Sequence, residues 1–147
     1  MASSPEQTAA ELCKIFEGCY LTPYLCSAGV ATIGYGATFY ENGVRVTLAD
    51  TPITKARANE LLSWMINKEF GPKVRRLCTG AEGNRLAALI DFAFNLGTGA
   101  LAGSTLRKCV NAGDWEGARA QILRWDKARG KTLRGLTRRR QTEAALI

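Results

Sequence analysis

With 147 residues, 46% hydrophobic and 22% charged, the chain can bury about 70% of the surface its unfolded form exposes. That excludes a disordered segment, and no apolar run approaches the roughly 18 residues of a membrane-crossing helix. The net charge of +7 is uneven: residues 1–106 carry nine basic and nine acidic groups, residues 107–147 eleven and four, a bias toward nucleic acid, anionic membrane or an acidic wall polymer.

In chain order, MASSPEQTAA lacks the basic start and apolar middle of an export signal, so cytosolic synthesis is expected. Ser4 is placed as N-cap of a helix over about 5–17, with Pro5 at its first position and Gln7 three residues after the cap. Ala9, Leu12, Cys13 and Phe16 form its apolar face, and Glu17 ends it before Gly18. From Leu21 to Asp50 the period becomes that of strands. Val30 to Tyr35 alternates, Asn42-Gly43 predicts a hairpin turn between Thr38–Tyr40 and Val44–Val46, and Gly34 and Gly36 mark bends. Thr54 is positioned to cap a long helix over about 55–70, with Ala58, Leu61, Leu62, Met65 and Ile66 on one stripe and Gly71-Pro72 as its end. A short basic helix near 72–78 follows. A strongly apolar helix over about 81–96, containing Leu86, Leu89, Ile90, Ala93 and Phe94, is expected at the centre. Gly97, Gly99 and Gly103 break the chain before a helix at 104–111. Asp114 caps another at about 115–124, 126–134 reads as a basic loop, and a last helix covers about 136–146.

This order predicts one α+β domain, residues 1–147. A small β-containing lobe at about 18–55 is joined by the long helix to a helical lobe, about 72–147 plus helix 5–17, with a site in the cleft between lobes. Histidine is absent, which removes Ser/His/Asp and Cys/His nucleophilic chemistry and any metal site needing imidazole. The five cysteines, Cys13, Cys19, Cys26, Cys78 and Cys109, fit no zinc spacing and are expected as thiols. Cys13, Cys78 and Cys109, with Trp64, Trp115 and Trp125, are expected to pack in the core.

Glu17 is expected at a helix C-terminus, where the macrodipole and the apolar neighbours Phe16 and Tyr20 both favour the protonated acid. A proton held at neutral pH is what a general acid delivers to a glycosidic oxygen. A surface glutamate at a helix end is the other reading of the same position. The stretch EGCYLTPYLCSAGVATIGYG, Glu17 to Gly36, resembles the phage-type lysozymes, glycoside hydrolase family 24, in placing Glu17, Cys26 nine residues on and Thr32 six further, inside a run ending Thr32-Ile33-Gly34-Tyr35-Gly36. The resemblance continues through Ala88 to Gly97, Ser104-Thr105-Leu106, Arg124-Trp125 and the closing Gly135-Leu136 with Arg138, Arg139, Arg140 and Glu143. Cys26 stands where many members carry Asp, and Ala37 where they often have His.

The resemblance implies a lysozyme-like fold and an endolysin that cleaves the β-1,4 bond between N-acetylmuramic acid and N-acetylglucosamine in peptidoglycan. It implies Glu17 as proton donor, Cys26 and Thr32 as the pair positioning or activating water, and Thr38, Phe94, Asn95 and Thr105 as glycan contacts. An ordinary thiol is a poor base at pH 7, so either Thr32 and backbone groups position the water while nearby cations polarise Cys26, or the thiolate itself acts; a packed thiol is the remaining reading. No cofactor or metal is implied. The expected setting is a monomer made in the host cytoplasm that reaches the wall through a separate holin-type permeabilising protein, without stable membrane insertion or nucleic-acid binding. The competing function is a non-catalytic basic module led by Arg134 to Arg140, binding nucleic acid or anionic membrane; it lacks interleaved aromatics for base stacking.

Overall fold

The computed structural model describes residues 3–147. Helix α1 (Pro5–Phe16) begins as the sequence specifies: Gln7 N–H donates to Ser4 Oγ at 3.1 Å and Ser4 N–H to Gln7 Oε1 at 2.8 Å, a reciprocal cap. It buries Ala9, Leu12 and Cys13.

Strands β1 (Tyr20–Leu25) and β2 (Ala31–Gly34) pair antiparallel, with Tyr20 opposite Gly34, Tyr24 opposite Thr32 and Leu25 opposite Ala31. The register shifts between Tyr20 and Tyr24, the interval that holds Pro23, which has no N–H for a ladder. Beyond β2 the expected sheet contracts to single bridges, Ile33 with Ala37 and Phe39 with Arg45. The cause is the backbone at Gly34 (φ 67°) and Gly36 (φ 102°), which turns the chain where an L-residue strand would continue. The Asn42-Gly43 turn is present: Gly43 N–H reaches the Tyr40 carbonyl and Tyr40 N–H the Val44 carbonyl, both at 2.9 Å. Ala37 is fully buried.

Helix α2 (Lys55–Met65) is capped by Thr54, whose hydroxyl accepts from Arg57 N–H at 3.1 Å. Gly71-Pro72 does not end the helical run. It passes through a π-helical turn, Ile66–Phe70, directly into α3 (Gly71–Leu77). Gly71 N–H bonds the Ile66 carbonyl five residues back. In this wider turn the proline has no α-type bond to break.

Helix α4 (Gly83–Leu96) is the centre of the core, with Leu86 through Ala93 all buried, including Asp91. Helices α1, α3 and α8 (Arg134–Ala144) pack against it. The glycine-rich stretch after it is not simply a break but holds the short helix α5 (Thr98–Ala102); Gly97, at φ 98°, separates it from α4. Ser104 caps α6 (Thr105–Asn111) and Asp114 caps α7 (Trp115–Ile122), accepting from Arg107 and Gly117 N–H at 3.0 and 2.9 Å. The expected loop at 126–134 contains a two-residue hairpin. Strands β3 (Lys127–Ala128) and β4 (Lys131–Thr132) flank Arg129 and Gly130, both at positive φ, the backbone a tight hairpin turn requires. Cys13 and Cys78 are buried, and Cys109 and the three tryptophans pack against the core.

Candidate active site

Glu17 is placed by the way α1 stops. Its N–H still reaches the Cys13 carbonyl at 2.7 Å while its own backbone is already extended (φ −88°, ψ 144°). The side chain therefore leaves the helix and lines a cavity of about 270 Å³. The other walls come from Tyr35 and Thr38 after β2, Met65, Glu69 and Phe70 from α2 and the π turn, and Phe94 from α4.

Behind Glu17 lies Arg139, a cation that the sequence offers as part of a basic tail and of the closing family pattern, with no site role attached. Arg139 Nη1 is 3.3 Å from Glu17 Oε2, and the arginine side chain is 4% exposed against 25% for the glutamate. The same guanidinium grips buried Asp91 with two bonds, Nε to Oδ2 at 3.0 Å and Nη2 to Oδ1 at 2.8 Å. Cys13 Sγ donates to Asp91 Oδ1 at 3.3 Å. Burial works against the Arg139 charge, but the Asp91 bonds and charge, then Glu17, hold it up. Burial also opposes an ionised Asp91, yet its bonds to Glu143 and Arg139 keep it below the ordinary carboxylate range. Burial, then Asp91, pushes the Cys13 thiol up, so Cys13 acts here as a neutral donor rather than only as packing.

Arg139 thus stands between Glu17 and Asp91, with its two short hydrogen bonds going to Asp91. A sequence signal existed: a lone Asp inside the apolar run Leu86 to Phe94 must be buried, and a buried carboxylate requires a cation.

Next along the same helix, Arg140 and Glu143 are both fully buried, with Arg140 Nε 2.7 Å from Glu143 Oε1. The expectation of Arg134 to Arg140 as one polyanion-binding run is corrected here, since two of its arginines are internal and held by the side chains of Asp91 and Glu143. Burial, then the bond and charge of Asp91, push Glu143 up to about 10 against the pull of Arg140 and Arg139.

Cys26 and Thr32 meet across the β1–β2 hairpin. Cys26 N–H bonds the Val30 carbonyl at 3.0 Å, and Thr32 Oγ1 donates to the same carbonyl at 2.8 Å. Hydrogen bonds at the Val30 and Ala28 backbone, then the Thr32 side chain, hold the Cys26 thiol below its ordinary value. The polarisation comes from these groups, not from the cations expected. Tyr24, raised by burial and then by Tyr20, Cys26 and Glu17, lies within electrostatic reach of both proposed catalytic residues. Of the other expected contacts, Thr38 and Phe94 line the cavity. Asn95 Oδ1 instead accepts from Arg140 Nη2 at 2.9 Å, and Thr105 is the exposed first residue of α6, outside the cavity lining. Glu69, Phe70, Met65 and Arg139 are cleft or supporting residues that sequence reading did not select. Among the described residues, no group of three or more Cys, Asp or Glu could hold a metal ion.

A mixed α+β fold with an acid leaving a helix end into a cleft defines a lysozyme-type glycoside hydrolase. The phage lysozyme family model matches residues 14–143, and the chain belongs to that family. It is 37% identical over 140 residues to an endolysin of Acyrthosiphon pisum secondary endosymbiont phage 1, covering 92% of each. Two further curated endolysins are longer, and the chain spans about half of each. The structure matches a P22 lysozyme mutant with TM-score 0.78 at 28% identity, covering 99% of this chain and 97% of that one. It matches the muramidase domain of SpmX from Asticaccaulis excentricus with TM-score 0.76 at 31% identity, covering 95% and 94%.

Proposed function

We propose that this chain is an endolysin acting as a muramidase on bacterial peptidoglycan, cleaving the β-1,4 bond between N-acetylmuramic acid and N-acetylglucosamine. The observation that carries the reading is Glu17: its carboxylate lines the cleft with a buried, carboxylate-balanced arginine behind it. In this reading Glu17 donates the proton to the departing glycosidic oxygen. Thr32 and Cys26 hold and activate the water, and the hydrogen bonds around the thiol favour the thiolate such a role needs. Thr38 and Phe94 are glycan contacts on the cleft wall; Asn95 acts by holding Arg140 rather than by touching sugar.

Among the described residues no helix is long and apolar enough to cross a membrane. We place the protein as a monomer in the host cytoplasm, dependent on a separate holin-type permeabilising protein to reach the wall. Replacement of Glu17 by Gln is expected to abolish clearing of a peptidoglycan suspension by a chain that still folds. Clearing by folded Glu17→Gln would overturn the assignment, and so would wild-type digests without new muramic acid reducing ends.

A further inference from the structure

We propose that Glu69 and Phe70, set on the cleft wall by the π-helical turn, form a saccharide subsite in which Phe70 and Phe94 take the face of a pyranose ring and Glu69 accepts hydrogen bonds from its hydroxyl or N-acetyl N–H groups. The inference rests on the muramidase reading and names the part of the cleft that grips the glycan away from Glu17.

Geometry comes first. In an α-helix the neighbours of residue i one turn on are i+3 and i+4. Where the turn closes five residues back, as Gly71 N–H does on the Ile66 carbonyl, the neighbours become i+4 and i+5. Met65, Glu69 and Phe70 consequently share one face, and all three line the cavity that Glu17 enters. Single π turns inside helices occur frequently at functional sites.

Chemistry comes second. The Phe70 and Phe94 rings stand 5.0 Å apart at 53°, both half-buried, on the cavity wall. A pyranose offers an apolar C–H face and a rim of donors, and such a ring pair beside a carboxylate complements both. Glu69 is exposed to the cleft and has no ion-pair or hydrogen-bond partner among the described residues, whereas Glu6, Glu17, Glu41 and Glu143 each face an arginine. Its acceptor oxygens are therefore available to a ligand. An ammonium on a stem peptide would use Glu69 but would have no need of the aromatic pair.

The test compares glycan strands stripped of stem peptides with intact peptidoglycan. In the catalytically disabled Glu17→Gln chain, adding Glu69→Ala is expected to weaken Kd for stripped strands about tenfold, the loss of a charge-assisted hydrogen bond. Glu69→Gln, which keeps an acceptor, should weaken it less, and Phe70→Leu should weaken it with Glu69 intact. In the active chain, Glu69→Ala is expected to raise KM on both substrates with kcat within about twofold. Thermal melts identify variants that retain the fold. Equal Kd in folded variants overturns the subsite. A loss confined to peptide-bearing substrate also overturns it, in favour of a stem-peptide ammonium. A wild-type chain releasing no reducing ends would overturn the muramidase reading while leaving the binding comparison intact.

Discussion

Cys26 is the residue at which family pattern and chemistry diverge most. A thiol stands where many members carry Asp, and backbone groups at Val30 and Ala28 and the Thr32 side chain hold it below its ordinary range. If the thiolate activates water, Cys26→Ser should lose the acidic limb of the pH–activity profile together with most of the rate, while Cys26→Asp should restore rate with that limb moved to lower pH, because a carboxylate ionises below a thiol. Initial rates of wall lysis between pH 4 and pH 9, on the order of the range where both groups titrate, provide the comparison. Unchanged profiles for both variants would remove Cys26 from the reaction. The sequence contained the position of this residue but not its partners, since a hairpin's hydrogen bonds exist only once β1 and β2 pair.

At the scale of elements, what was legible was local. The Ser4 and Gln7 cap, the Thr54 and Asp114 caps and the Asn42-Gly43 turn depend on residues within four positions of one another, and each forms. What was not legible depended on register or on distant partners. Gly71-Pro72 has the composition of a helix end, and only the choice of an i−5 carbonyl lets the helix continue. Gly71 is also where that choice is enforced, because a Cβ there would lie 2.7 Å from the Ile66 carbonyl oxygen. Gly→Ala inside a helix ordinarily stabilises by about 1 kcal/mol. Here the clash is with backbone that cannot swing away, so Gly71→Ala is expected to destabilise by about 1–3 kcal/mol. Urea unfolding decides the sign, and a more stable variant would show that the π turn relaxes freely. The arginine run of α8 misled for a related reason. Taken alone it reads as a solvated face, and its burial follows from Asp91, whose bond to Arg139 spans 48 positions.

For the whole molecule, the cluster of Arg139, Arg140, Asp91 and Glu143 ties α8 to α4, and through Glu17 to α1. Glu143 is pushed up to about 10 from 4.5, chiefly by burial, so the native state retains a proton that the unfolded chain releases. Its contribution is fully present below the unfolded value, declines as pH rises through the interval, and is gone above the folded value. Stability in urea should accordingly fall from about pH 5 to pH 9. Glu143→Gln, which mimics the protonated acid, should flatten that slope while preserving the fold; an equal slope in the variant would place the proton elsewhere. Asp91 is shifted downward, so its own contribution is lost only in acid, and the two windows do not overlap near neutrality.

The pairing of Glu17 with Arg139 has a temporal consequence for synthesis. The acid is translated first, and the arginine that faces it follows 122 positions later. A nascent chain bearing Glu17 lacks its guanidinium, the Asp91 grip and the docked helix α8 until Arg139 has emerged and α8 has folded. An endolysin arranged in this way completes the Glu17–Arg139–Asp91 cluster only once α8 is in place. Chains cut short before Arg139 are left with a buried aspartate that has lost its cation and a cleft glutamate without its arginine.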